Sequence, residues 1–182
     1  MRGLDWSDTV RHGVELDEVE LEGADLRGLE APRLELRDCR FVDCDLANVV
    51  ARGASLLRVE VHDCRATGLR CADATLADVR FAATRGDLAA FRFARLTRVA
   101  FDGCVLRELD LHGAHLDAVT FLDCDLTGAV LTGATLRDVD LRRCALDGLV
   151  GVEHLRGATI ERDAVHALGE AMAAALGIRL PD

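Results

Sequence analysis

The sequence predicts an all-β solenoid whose coils have four sides, and two periodicities carry the prediction. From Leu96 to Leu146 an apolar residue returns every five residues without a slip, through Phe101, Leu106, Leu111, Leu116, Phe121, Leu126, Leu131, Leu136 and Leu141. Two places before each stands a second small or apolar residue, from Ala94, Val99 and Cys104 to Val139 and Cys144. A period of five matches neither the 3.6 of a helix nor the 2 of a flat strand. The second period is twenty. Leu16, Leu36, Leu56, Leu76, Leu96, Leu116 and Leu136 form one column, and Phe41, Phe81, Phe101 and Phe121 fall in its neighbour. Like residues at a spacing of twenty make each twenty residues one turn with four sides.

The pentads Ala-His-Leu-Asp-Ala at 114–118 and Ala-Thr-Leu-Arg-Asp at 134–138 have a small residue, a polar one, Leu, then two more. In this the chain resembles the pentapeptide-repeat proteins over about Val14 to Leu149. The resemblance implies a right-handed quadrilateral β-helix ending in a C-terminal α-helix. About 27 central positions give nearly seven coils, and coils stacked at about 4.8 Å make a rod roughly 30 Å long.

In chain order, residues 1–13 are assigned to an N-terminal cap, 14–150 to the β-helix and 151–182 to a C-terminal cap and dimerisation helix. The first segment keeps the register at Leu4 and Trp6 and loses it at Arg11, so Trp6 is the expected apolar plug of an open coil end. The repeat then holds to Phe81, with small centres at Ala31, Ala51, Ala66 and Cys71. At Thr84 and Gly86 both inward positions lose their apolar group, while Leu88 and Phe93 fall at outward ones. A local bulge or bend is expected from Thr84 to Phe93, with Phe93 folded over the gap, exposed, or meeting a partner. Beyond Gly151 the register breaks, Ala158 and Ile160 give a last inward pair, and Val165, Leu168, Met172 and Leu176 follow a helical spacing over Arg162 to Leu176. Gly177 is placed to end that helix, and Ile178 to Leu180 to form a short strand.

Composition narrows the function. With 182 residues, 50% of them hydrophobic, one domain with a continuous core is expected. No apolar run suits a membrane span or signal peptide, which points to the cytoplasm. Five of the seven Cys (Cys44, Cys64, Cys104, Cys124 and Cys144) share one inward column, where they read as small buried hydrophobes rather than disulfides or metal ligands. A filled core should leave no cavity for catalysis, the six His are scattered, and neither a metal nor another cofactor is expected. An enzyme is therefore not expected.

Charge is the informative feature. The net charge of −10 divides into −7 over residues 1–50, +4 over 51–100, −5 over 101–150 and −2 over the rest. Asp43, Asp63, Asp102, Asp123 and Asp140 belong to one side of the coil, and Asp38, Asp78, Asp117 and Asp138 to the next, making two acidic stripes interrupted by Arg58, Arg80 and Arg98. Duplex DNA carries one negative charge per roughly 1.7 Å. The C-terminal segment, from Leu155-Arg156-Gly157-Ala158 through an Ala-rich helix to Leu176-Gly177-Ile178, is similar to the ends of quinolone-resistance pentapeptide-repeat proteins of the Qnr/MfpA type. That resemblance implies a non-enzymatic homodimer, joined through the C-terminal helix at Val165, Leu168, Met172 and Leu176, that imitates DNA. It also implies binding to DNA gyrase or topoisomerase IV and protection against poisons such as fluoroquinolones. Asp102, Asp117, Asp123, Asp138 and Asp140, nearest the expected two-fold, are the candidate contact surface. The acidic ends argue against direct nucleic-acid binding. Two alternatives stay open: the acids serve only to keep the rod soluble, or the chain is a scaffold or adaptor that grips an unrelated protein through the 84–93 segment and the Arg belt.

Overall fold

The computed structural model describes residues 4–179 and is a right-handed four-sided β-solenoid of about seven coils closed by one helix. Every ladder is parallel, and every one but the last, where Val139 meets Ala158, steps by twenty. Face one pairs Leu16, Leu36, Leu56, Leu76, Leu96, Leu116 and Leu136 in succession. Face two, turning from each of these, aligns Leu21 with Phe41, Phe41 with Val61, Val61 with Phe81, Phe81 with Phe101 and Phe101 with Phe121. Faces three and four are joined by single bridges, such as Arg65 to Arg85 to Val105 and Arg70 to Ala90 to Asp110. The five-residue period exists because a side holds one short extended stretch and a corner. The third and first residues of each pentad point inward, and burying both builds one continuous apolar core along the rod.

Each corner needs a residue with positive φ in the last place of the pentad. Gly supplies it at Gly53, Gly103 and Gly133, and Asp or Asn at Asp43, Asn48 and Asp63, the residue types that tolerate this region most cheaply. Leu88 (φ 60°) and Phe93 (φ 56°) occupy it as well. That is uncommon for residues of their size.

The rod begins earlier than residue 14. Bridges from Asp5 to Asp25 and from Val10 to Glu30 put the described part of the assigned cap on two sides of a first coil; Met1 to Gly3 lie outside the described residues. Trp6 packs on the core from the face-three centre, and the Arg11 guanidinium lies 4.4 Å from its ring centroid. Arg11 therefore keeps the register's position while covering the coil end through a cation–π contact.

The expected bulge at 84–93 does not form. Gly86 N donates to Val105 O, Leu88 N to Arg107 O, Phe91 N to Asp110 O and Phe93 N to His112 O, all at 2.8–2.9 Å. Three substitutions explain the intact coil. The Thr84 hydroxyl donates to Ala82 O at 3.1 Å and reaches Val61 O at 3.5 Å, the same two carbonyl positions to which the thiols of Cys64 and Cys104 point. Leu106 leans into the place of the missing side chain, so that a Cβ on Gly86 would meet its Cδ2 at 3.0 Å. Phe91, where neighbouring coils carry Cys71 or Leu111, packs edge-on between Phe81 and Phe101 with centroids 6.3 and 6.4 Å away. A Phe on one side replaces the volume that the Gly on the adjoining side gives up.

After Val150 a 3-10 turn at Val152–His154 leads to the pair Ala158–Thr159, which adds to Val139–Asp140. Helix α1 (Ala164–Ala175) follows. Gly177 (φ 71°) ends it as expected: its N–H donates to Ala174 O and that of Ile178 to Ala173 O, a Schellman closure. The expected strand at Ile178 is absent from Ile178 and Arg179, and Leu180 lies outside the described residues. The core is not completely filled. An apolar cavity of about 70 Å³ lies among Leu36, Phe41, Leu56, Val61, Cys71 and Phe81, where the small centres of the third coil leave room.

Candidate interaction surface

Among the described residues no group of three or more His, Cys, Asp and Glu is placed to hold a metal ion, and no helix is long and apolar enough to cross a membrane. The seven thiols are unpaired. Burial pushes the Cys71 and Cys64 thiols up to about 12, so both stay protonated and weakly nucleophilic at neutral pH.

The charge is segregated by face. Over residues 14–148, faces one and two together carry 16 Asp or Glu against 9 Arg, whereas faces three and four carry 9 against 8. The two strand-bearing faces thus hold −7 and the opposite two −1. Along faces one and two the excess is greatest in the first coil, at Glu15, Asp17, Glu18, Glu20 and Glu22.

The structure pairs most of the carboxylates chosen from sequence. Asp102 meets Arg80 at 2.7 Å, Asp123 meets Arg143 at 2.6 Å and Asp140 meets Arg142 at 2.5 Å, while Asp117 is held by Arg137. Asp138 is the one of the five with no ion pair among the described residues. The neighbouring stripe behaves alike, with Asp38 bound by both arms of Arg58 at 2.6 Å and Asp78 by Arg98 at 2.6 and 2.7 Å. The Arg hydrogen bond holds the Asp38, Asp78 and Asp117 carboxyls below the usual carboxylate range. Free carboxylates on faces one and two, again among the described residues, are Glu15, Asp17, Glu18, Glu35, Asp43, Asp63 and Asp138. All seven are exposed. Pairing at a spacing of twenty is written in the sequence as Asp38 with Arg58, Asp78 with Arg98, Asp117–Arg137 and Asp123–Arg143. Counting charge by stretches of fifty hides it.

The four residues assigned to a dimer interface separate into two kinds. Leu168 is fully buried within its own chain and anchors α1 on the rod end near Val152 and Leu155, so it is a packing residue and not one a partner copy can reach. Met172 is half-buried against the core, while Val165 and Leu176 are 47% and 77% exposed and Ile178 is 53% exposed beside them.

Comparison with known proteins agrees with this architecture. Residues 94–150 match the model of a pentapeptide repeat region. No curated protein matches the chain significantly in sequence. Among solved structures, the chain is similar to a trypsin-treated variant of QnrB1, a plasmid-mediated fluoroquinolone resistance protein, at 20% identity and a TM-score of 0.52, with 99% of each chain covered. It also aligns with HetL, a pentapeptide repeat protein involved in heterocyst differentiation regulation from the cyanobacterium Nostoc sp. Strain PCC 7120, at 16% identity and a TM-score of 0.26 over 87% of this chain and 90% of that one. Rfr23 from the cyanobacterium Cyanothece 51142 gives 14% identity and a TM-score of 0.25 over 85% and 88%. At such identities the likeness to QnrB1 is one of fold. The register that residues 94–150 share with the repeat model runs without a break along the ladders from Asp5 to Val150, so the chain carries a pentapeptide repeat region within a solenoid of the same fold as the pentapeptide-repeat structures.

Proposed function

We propose that the rod acts by binding a DNA-handling protein, DNA gyrase or topoisomerase IV, on its acidic faces one and two, and that it protects that enzyme against poisons of the fluoroquinolone class. The observation that carries this reading is the segregation of charge: −7 on two adjoining walls and −1 on the other two. A surface shaped to receive the phosphates of a duplex is positively charged along its length, and an acidic wall of about 30 Å complements it. Duplex DNA of that length carries roughly 18 charges. The rod is therefore a weaker polyanion than DNA, suited to compete reversibly. The contact runs from Glu15 and Glu35 through Asp43 and Asp63 to Asp138, with Asp102, Asp117, Asp123 and Asp140 contributing as Arg-paired carboxylates.

A homodimer extends this surface. Val165, Met172 and Leu176, together with Ile178, leave an apolar stripe on the outer side of α1, and Gly169 in its middle has nothing within 4 Å of its Cβ position, so a second helix can approach closely. In this reading Leu168 supports the helix from beneath.

The test is supercoiling by purified gyrase, with and without a fluoroquinolone, across a titration of the rod at two salt concentrations. Inhibition or drug protection that weakens with salt is expected. It should be lost in the Asp43→Arg, Asp63→Arg, Asp138→Arg variant, which takes faces one and two from −7 to −1. Arg already occupies the equivalent corners at Arg58, Arg98 and Arg143, so the fold accepts it. No effect at a large molar excess of the wild-type rod would remove the topoisomerase reading.

A further inference from the structure

The side opposite the acidic walls carries the two least economical residues in the rod. Leu88 and Phe93 sit at the two corners that bound face four of one coil, both at positive φ and both more than half exposed, at 55% and 52%. Each combines a backbone conformation that disfavours large side chains with an apolar surface left in water. Gly takes the same two corner columns at Gly28, Gly68, Gly128 and Gly148 and at Gly53, Gly113 and Gly133, so a solution without either penalty is used repeatedly in this chain. Strain retained where a relaxed alternative is at hand points to use of the side chain.

The Phe93 ring is also held in place. It stands edge-on to His112 with centroids 5.3 Å apart, and it lies over Gly113, where an added Cβ would come within 2.5 Å of the ring. Gly113 leaves the room in which the ring lies flat on the next coil. On faces three and four of this coil and the two beside it, Arg65, Arg70, Arg85, Arg92 and Arg107 stand against Asp73, Asp87, Glu108 and Asp110, a net +1 beside the −7 of the acidic faces. Arg70, Arg85 and Arg95 are exposed and make no ion pair among the described residues, and Arg92, whose guanidinium lies 6.0 Å from the Phe93 ring, is bound to Asp110 at 3.0 Å.

We infer that Leu88, Phe93 and the surrounding Arg70, Arg85 and Arg95 form a second docking surface, and that its occupant is an acidic segment of a partner protein carrying apolar side chains. The apolar pair supplies contact area, and the three unpaired guanidiniums select carboxylates, which they can bind bidentately. The inference does not depend on the topoisomerase reading, because Leu88, Phe93, Arg70 and Arg85 lie on faces three and four and their corners, and Arg95 alone stands on face one.

A display library of random twelve-residue peptides, selected on the wild-type rod and counter-selected on a Leu88→Gly, Phe93→Gly variant, tests it. Enriched peptides should be acidic with at least one Leu, Phe or Trp. Synthesised with a fluorescent label, they should bind the wild type at least tenfold more tightly than that variant, and also than Arg70→Ala, Arg85→Ala. Both changes should leave the fold intact, since Gly is the residue of the equivalent corners and Ala stands at the equivalent ladder positions Ala90 and Ala145; unchanged circular dichroism and a melting temperature no lower than wild type check this, and gyrase titration should be unaltered. Selection of neutral or basic peptides, equal binding by the variants, or no enrichment would overturn the proposal. So would tighter binding of a labelled single-stranded oligonucleotide than of any selected peptide, because the same Arg and Phe groups would then be serving bases and phosphates.

Discussion

The two halves of the rod share one backbone and differ in how well they fill it. In the C-terminal half the inward columns are large and regular: Phe101 and Phe121 stack at 4.7 Å with rings 3° from parallel, Phe81 joins them at 4.9 Å, and the space among Leu111, Leu116, Phe121, Leu126, Leu131 and Leu136 is about 10 Å³. In the N-terminal half the column is interrupted at Val61, between Phe41 and Phe81, and the cavity there reaches about 70 Å³. Hydrogen-bonded ladders cross both regions equally. The repeat thus secures the coil, and packing is decided coil by coil through the sum of four central side chains, as at Gly86 and Phe91.

The largest effect should come from breaking the dense half. Phe101→Ala removes the middle of a three-ring stack that is 1% exposed, and truncations of this kind cost about 3–5 kcal/mol. Urea unfolding should show a loss of this size for Phe101→Ala and a smaller one for Val61→Ala, which starts from a site already loose. Equal losses would mean that the difference in packing has no energetic weight. The comparison can be sharpened in the other direction by Val61→Phe, which completes the column from Phe41 to Phe121 and fills the cavity. A gain of about 1 kcal/mol is expected. A lower melting temperature would show that the space has the wrong shape for a ring.

Most of this architecture is legible in one sequence because the period is discrete: a register slip of one residue would turn every inward side chain outward. The column of thiols, the helix and its Gly177 stop can be read for the same reason. What escaped is pairwise. The bulge expected at Thr84 to Phe93 treats Gly86 as a lost Leu, whereas Phe91 on the next face and Leu106 on the next coil fill the space together. Likewise Asp117 and Asp123 counted as free charge until their Arg partners twenty residues onward were taken with them. Leu168 belongs to the helical stripe, yet only the docking of α1 on the coil end decides which part of a stripe faces inward.

A smaller effect follows from the corners, where the same chain uses relaxed and strained residues. Leu88→Gly trades a left-handed Leu for the residue that the column uses at Gly68 and Gly128. The conformational relief of roughly 1–2 kcal/mol exceeds the added chain entropy of Gly and the little burial lost, so a net gain of about 0.5–1 kcal/mol is expected in thermal unfolding. Phe93→Gly should gain less, because its ring covers Gly113 and His112. If Leu88→Gly destabilises instead, Leu88 packs more than its exposure indicates.

The smallest expected effect concerns the charge ladder on face one, and it compares the paired carboxylates with the free ones. Asp38, Asp78 and Asp117 have their carboxyl pKa lowered by the Arg on the following coil. A carboxyl whose pKa is lower in the folded chain than in the unfolded one adds stability above the unfolded value, near 3.9, and loses it as the pH falls through the folded value. These pairs are open to solvent, where screening leaves each with little weight. The triple variant Asp38→Asn, Asp78→Asn, Asp117→Asn should therefore melt slightly below wild type at pH 7, and the gap should close on acidification below about pH 4. The corresponding variant of the free acids, Asp43→Asn, Asp63→Asn, Asp138→Asn, should behave in the opposite way at pH 7, melting at or above wild type, because it lowers the net charge of −10 without breaking an ion pair. Since those same three carboxylates are the ones assigned to contact a DNA-binding partner, a rod stabilised by their removal and weakened in binding would place their cost in the fold and their use at the surface.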